Sequence, residues 1–271
     1  MAGHLTGFRA RLMAGPTAFT AWSAMREPAG IETLLREGFD SVVFDWQHGF
    51  HDQQSIEAGI LTAQAMHRPA LVRIGVGDFA NAARFLDWGA AGIIAPMINS
   101  VSDAKAFVDF VKYPPLGGRS WGPARAMGFA GYTAAEQLTT GNDLTLAIAM
   151  IETREAYTAL DDILGVAGID GVLVGPSDLS ITLTNGAAID ALLPEVDAAL
   201  SHIAARAKAH GKIASAFCPD GVRAGELANR GYHLLAAGTD GSMFRAGAKA
   251  ALSAARNGAA SSATRSSDGY R

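Results

Sequence analysis

TLAIAMIETREAYTALDDILGVAGIDGVLVGPSDLS, residues Thr145 to Ser180, decides the fold. It opens on a short apolar, partly β-branched run, TLAIAMIE from Thr145. It passes through EAYTALDDILGVAG, whose apolar residues recur at helical spacing and which ends on glycine, as helix C-termini often do. It closes on a second apolar run, GVLVGP from Gly171. A strand, a helix and a second strand in succession are the signature of parallel strands joined by a crossover helix.

The same alternation extends in both directions. Strands are expected at AFTAWS from Ala18, SVVFDW from Ser41, ALVRIG from Ala70, GIIAPM from Gly92, IASAFC from Ile213 and HLLAAGT from His233, making eight with the two above. Amphipathic segments such as QQSIEAGILTAQAM, DFANAARFLDWG, SDAKAFVDFVKY and PEVDAALSHIAARAKAHG separate most of them. Eight strand-helix units close naturally into a (β/α)8 TIM barrel, for which about 250 residues is a usual size; an open doubly wound sheet is the structural alternative. The 271 residues therefore read as one α/β domain over 1–255, followed by a small, polar, disordered tail over 256–271. One connection stands apart. The segment 114–143, PPLGGRSWGPARAMGFAGYTAAEQLTTGND, holds no clear strand, and a loop of that length in a compact domain is usually functional.

Composition narrows the function classes. A formal net charge of −4 without long runs of one sign gives no footprint for nucleic acid or an anionic membrane. No run approaches the roughly 20 apolar residues that span a bilayer, and the amino terminus lacks a signal peptide's apolar stretch. With a single cysteine, Cys218, no internal disulfide can form, and a cytoplasmic setting is expected. Cys218 reads as a small core residue more readily than as a nucleophile.

In a parallel barrel the active site lies at the carboxyl ends of the strands, where the βα loops converge. That rule gathers Asp45, Trp46, Gln47 and His48 after strand two, Arg73 on strand three, Glu152 after strand five, Ser177 and Asp178 after strand six, and Thr239 and Asp240 after strand eight. Glu152 and Asp178 suit a hard divalent cation, which is often held by one or two carboxylates with water and substrate completing its shell. Alternatively, each is a helix or turn cap. Arg73 either neutralises buried carboxylates or binds a substrate carboxylate and a developing oxyanion. His48 is either a general base oriented by Asp45 or a surface histidine, and a metal pair of His48 with His51 has no obvious third ligand. The lysines, Lys105, Lys112, Lys208, Lys212 and Lys249, fall in helical segments or at a strand's beginning, which argues against Schiff-base chemistry. No nucleotide-binding glycine motif is present. GTDGSM, after strand eight, is a weaker candidate for a phosphate cradle.

At these residues the sequence resembles the HpcH/HpaI aldolase family, the metal-dependent pyruvate aldolases typified by 4-hydroxy-2-oxoheptanedioate aldolase. The strongest motifs are MIETREA, Met150 to Ala156, and GIDGVLVGPSDLS, Gly168 to Ser180. YPPLGGR at Tyr113 to Arg119, LVRIG around Arg73 and FDWQHG at Phe44 to Gly49 support them. The resemblance implies a divalent metal cation (Mg²⁺, Mn²⁺ or Co²⁺) held by Glu152 and Asp178. It implies a 2-oxo acid chelated to that metal, with its carboxylate received by amides around Gly175, Ser177 and Asp178. Arg73 is then the enolate-stabilising arginine, and His48 with Asp45 the proton-transfer pair. The implied reaction is reversible addition of pyruvate, or a similar 2-oxo acid such as hydroxypyruvate, to an aldehyde. A thioester lyase, an oxaloacetate decarboxylase and a silent 2-oxo-acid-binding barrel remain as alternatives. The family also implies a homo-oligomer, a hexamer with exchanged carboxyl-terminal helices. This chain departs from the family in having Trp46 and Gln47 where Gly and Glu are usual, and Met150 where Gln is usual. The first two departures are expected to alter the mouth of the site.

Overall fold

Side chains of a strand alternate between its two faces, and in this chain the alternation sorts cleanly. Leu146, Ile148 and Met150 of one strand pack with Val43, Leu71, Ile94, Leu173 and Ile213 of others in one buried cluster. Their neighbours Ala147, Ala149 and Ile151 belong to a second cluster, shared with the helices. Such a double burial needs a sheet with an inside and an outside. The computed structural model, which describes residues 7–266 and side-chain burial as far as Asn257, has that form: a closed barrel of eight parallel strands in sequence order.

The strands are β1 Ala18–Ser23, β2 Ser41–Asp45, β3 Ala70–Arg73, β4 Gly92–Ala95, β5 Leu146–Ile151, β6 Gly171–Val174, β7 Ile213–Cys218 and β8 Leu234–Thr239. The helices are α1 Phe8–Ala14, α2 Pro28–Arg36, α3 Gln53–Ala65, α4 Phe79–Asp87, α5 Val101–Val111, α6 Ala124–Ala130, α7 Ala134–Leu144, α8 Arg154–Thr158, α9 Leu160–Leu164, α10 Pro176–Leu183, α11 Pro194–Ala209, α12 Gly221–Ala228 and α13 Asp240–Ser266. All eight expected strands are present, and β1 and β7 have the expected bounds. Closure excludes the open sheet.

The lower end of the barrel, where the strands begin, is plugged by α1. Its Phe8 and Leu12 are each 1% exposed and join the interior cluster. The segment 114–143 also lies at this end, because it runs from α5 to the start of β5. It contains no strand but is not a functional loop at the mouth. It carries α6 and α7, and is pinned by Arg119, which pairs with Asp87 at 2.7 Å and stacks on Tyr113. Where the tail was expected, α13 continues as helix as far as Ser266, and residues 267–271 lie outside the described residues. Alanine-rich sequence favours helix.

Candidate active site

Strand parity builds the site. Val43, Leu71, Met150 and Leu173 face the barrel interior, so the residues two positions further on, Asp45, Arg73, Glu152 and Gly175, continue the inward rows at the carboxyl ends of four strands. Between them opens a cavity of about 180 Å³, whose lining includes Asp45, Arg73 and Asp178 with Trp22, Met150 and Phe217.

The register of β2 against β3 sets Asp45 opposite Arg73. The two form a two-pronged ion pair, with Arg73 Nε donating to Asp45 Oδ1 at 2.9 Å and Nη2 to Oδ2 at 2.6 Å. Asp45 also accepts from the His48 backbone N–H at 3.0 Å and from the Trp22 indole at 3.3 Å, so its four bonds leave little acceptor capacity. Burial works to raise its pKa, but the bonds and charge of Arg73 outweigh that and hold the carboxyl below its ordinary value. The guanidinium lies 5.0 Å from the Trp22 ring centroid.

This corrects the expectation for the Asp45 and His48 pair. Asp45 holds the His48 backbone and the Arg73 head group; among the described residues no hydrogen bond joins it to the exposed His48 imidazole. His51 is no partner for His48 either, since its ring lies 3.1 Å from the Ser23 hydroxyl and 3.1 Å from that of Ser55.

Glu152 is 3% exposed. Its Oε1 accepts the Met97 N–H at 2.8 Å, and Met97 adopts the left-handed conformation, φ 56°, that turns this amide inward. Burial raises the Glu152 pKa, and the negative charge of Asp178 adds to the shift against the opposing effects of Met97 and Arg73. A Cβ at position 175 would lie 2.8 Å from Glu152 Oε2, so glycine there keeps that oxygen free. Helix capping does not explain the two carboxylates. Thr153 caps α8 by accepting from Ala156, and the N-cap of α10 is Gly175, which offers no side-chain cap. Two acidic groups close enough to feel one another, with the nearby guanidinium committed elsewhere, form a donor set that fits a divalent cation. Ser177 and Asp178 open α10, where the first N–H groups of a helix lack internal partners and point at an anion.

The departures from the family pattern fall in unexpected places. Trp46 does not line the cavity. Its indole donates to Asp78 at 2.9 Å, its ring packs edge-on against Phe85, and its backbone N–H donates to the Arg73 carbonyl at 2.9 Å. It therefore ties the ends of β2 and β3 together. Gln47 is also outside the lining, whereas Met150 is part of it. Trp22 and Phe217 line the cavity without having been assigned to the site from sequence, although their positions near strand ends were the available signal; Thr239, gathered at the rim with the other strand ends, is also part of the lining. GTDGSM is no phosphate cradle: Asp240 accepts from the amides of Ala24 and Met25, and Ser242 and Thr239 bond each other. Cys218 is buried on the helix side of β7, and burial pushes its thiol up to about 12.

Residues 19–246 match the family model for HpcH/HpaI aldolase/citrate lyase. The chain belongs to that family. As a member it is a carbon–carbon lyase. The hydroxypyruvate/pyruvate aldolase of Rhizorhabdus wittichii is 34% identical over 242 residues, covering 89% of this chain and 95% of the relative. An HpcH/HpaI aldolase from Desulfitobacterium hafniense DCB-2 superposes with TM-score 0.82 at 28% identity, over 91% of this chain and 95% of that one. A citrate lyase beta subunit from M. tuberculosis, complexed with oxaloacetate and magnesium, shares the fold with TM-score 0.54 at 19% identity, over 83% of this chain and 92% of that one.

Proposed function

We propose that this protein adds pyruvate, or a close 2-oxo acid such as hydroxypyruvate, reversibly to an aldehyde, giving 4-hydroxy-2-oxo acids with the aid of a divalent cation. The reading rests above all on the division of charge at the mouth: Arg73 is fixed by Asp45, while Glu152 and Asp178 adjoin one another without a cation of their own.

Glu152 and Asp178 would hold the cation, and two carboxylates accept Mg²⁺, Mn²⁺ or Co²⁺ alike. When bound, the cation supplies Lewis-acid polarisation of the keto group. The substrate carboxylate docks against the amides at the start of α10, around Gly175, Ser177 and Asp178. Arg73 has Nε and Nη2 bound to Asp45, which leaves Nη1 to face the substrate and hold charge collecting on the keto oxygen. His48, whose ring makes no hydrogen bond among the described residues, takes the proton from the donor carbon. The resulting enolate carbon attacks the aldehyde carbon, and the proton returns to the new alkoxide oxygen. Cleavage is the reverse sequence. Asp45 acts by orienting Arg73.

The reading extends to a homo-oligomer, a hexamer by resemblance, in a cytoplasmic setting. The exposed length of α13, including Phe244 at 72%, supports association. Calorimetric titration with Mn²⁺ tests the core of the proposal. Glu152→Gln should weaken binding by about 10–100-fold or more, since even residues behind the ligands carry that much. Unchanged affinity contradicts the assignment.

A further inference from the structure

The cavity contains a single cationic side chain. Among the described residues, Arg73 is the only positive one in its lining, and it is already paired with Asp45. Three other arginines near this end of the barrel are committed. Arg26 pairs with Asp52, Arg154 donates to the carbonyls of Thr182 and Leu183, and Arg223 pairs with Asp197 and Glu226. Set against this one cation are the carboxylates of Asp45, Asp178 and, behind Gly175, Glu152.

Apart from Ser177 and Thr239, the remaining wall is apolar. Trp22 and Phe217 meet edge to face with ring centroids 5.3 Å apart, and the buried Met150 lines the cavity with them. Val76 and Met97, on the loops after β3 and β4, are exposed on the same end of the barrel. A 2-oxo acid donor brings its own carboxylate and uses the anion-binding groups at the start of α10. The cation that Glu152 and Asp178 would hold is taken up by those carboxylates and the 2-oxo acid, so a second carboxylate, carried by the aldehyde, would be desolvated beside Trp22, Met150 and Phe217 with no further cationic side chain in the lining to receive it, and charges buried without a partner are strongly disfavoured.

We infer that the acceptor is a neutral aldehyde with an apolar substituent, and that Met150 and Phe217 select against aldehydes bearing a second carboxylate. This inference rests on the aldolase reading above. It names the acceptor class for that same site.

The test compares three acceptors with a four-carbon aldehyde chain, using pyruvate and Mn²⁺: butanal, succinic semialdehyde and the methyl ester of succinic semialdehyde. Butanal and the ester should exceed the free acid in kcat/KM by tenfold or more. Thr239→Lys, which adds a cation at the cavity edge without touching the groups assigned to catalysis, should narrow that ratio by favouring the acid. Exchange of the pyruvate methyl protons in deuterium oxide, run without any aldehyde, separates the two ways of failing. Exchange accompanied by an equal or reversed preference overturns the acceptor inference and leaves the aldolase reading standing. Absence of exchange with Mg²⁺, Mn²⁺ and Co²⁺ overturns both.

Discussion

At the lower end of the barrel, Lys112 is 1% exposed; it donates to the carbonyls of Asn142 at 2.6 Å and Thr145 at 2.5 Å and pairs with Asp170 at 2.7 Å. At the upper end, Glu152 is buried nearly as deeply, yet it accepts one amide and meets no cation. Burial shifts both groups towards their neutral forms, Lys112 downwards and Glu152 upwards. The difference lies in what answers the burial. All three ammonium protons of Lys112 have acceptors, so that charge stabilises the closure of the barrel. The carboxylate of Glu152 is left wanting a positive partner, a state that persists in a folded protein where a ligand supplies one.

Breaking the lower arrangement should therefore cost stability and little else. Lys112→Ala is expected to destabilise the fold by about 3 kcal/mol, the lower end of the usual penalty for removing one partner of a buried ion pair, since Asp170 keeps its contacts with Arg9 and the Ala147 N–H. Denaturant unfolding measures the loss, and the turnover of the protein that remains folded should be near the parent value. Breaking the upper arrangement should cost activity as well as stability, because removing Arg73 leaves the buried Asp45 carboxylate without its cation. Arg73→Ala is expected to lower kcat by about 10²–10³-fold, the scale seen when one oxyanion donor is removed, while Mn²⁺ affinity stays within a few-fold. Near-normal turnover in that variant contradicts the role of Arg73.

Two finer comparisons concern the neighbours of Arg73. Trp46→Phe keeps the ring against Phe85 but removes the bond to Asp78. It should cost about 1.5–3 kcal/mol in unfolding, the range for one hydrogen bond to a charged acceptor, and should lower kcat more than it alters KM. The smallest effect is expected from pH. Because the Asp45 carboxyl lies below its ordinary 3.8, its ion pair is fully present above that value and is lost only as pH falls through the lower folded value. Asp45→Asn should consequently reduce activity by the same factor across neutral pH, without moving either limb of the pH profile. A shifted limb means that Asp45 exchanges protons during the reaction.

The barrel and the elements of the site were legible in the sequence because both follow from periodicity. Short apolar runs mark strands, and the rule that chemistry sits at their carboxyl ends picked out Arg73, Glu152 and Asp178. What stayed hidden depends on register and direction. Asp45 faces Arg73 because of how β2 pairs with β3, and no spacing within either strand reveals it. The sequence proximity of His48 suggested a pair that the structure limits to a backbone bond. Opposite charges at the last positions of adjacent strands were the available signal. Trp46, one residue past Asp45, falls on the opposite parity and so turns towards Phe85 rather than into the cavity. The segment 114–143 looked loop-like because its glycines and prolines conceal two short helices, which meet the rest of the chain through single points such as Arg119.

Proton exchange at the methyl group of pyruvate, followed by NMR in deuterium oxide on metal-stripped protein with and without Mg²⁺ or Mn²⁺, tests the central claim most directly. The account predicts exchange that appears only when the cation is added and that falls sharply in Arg73→Ala. Exchange that is equally fast in metal-stripped protein, or none with any cation, would contradict it.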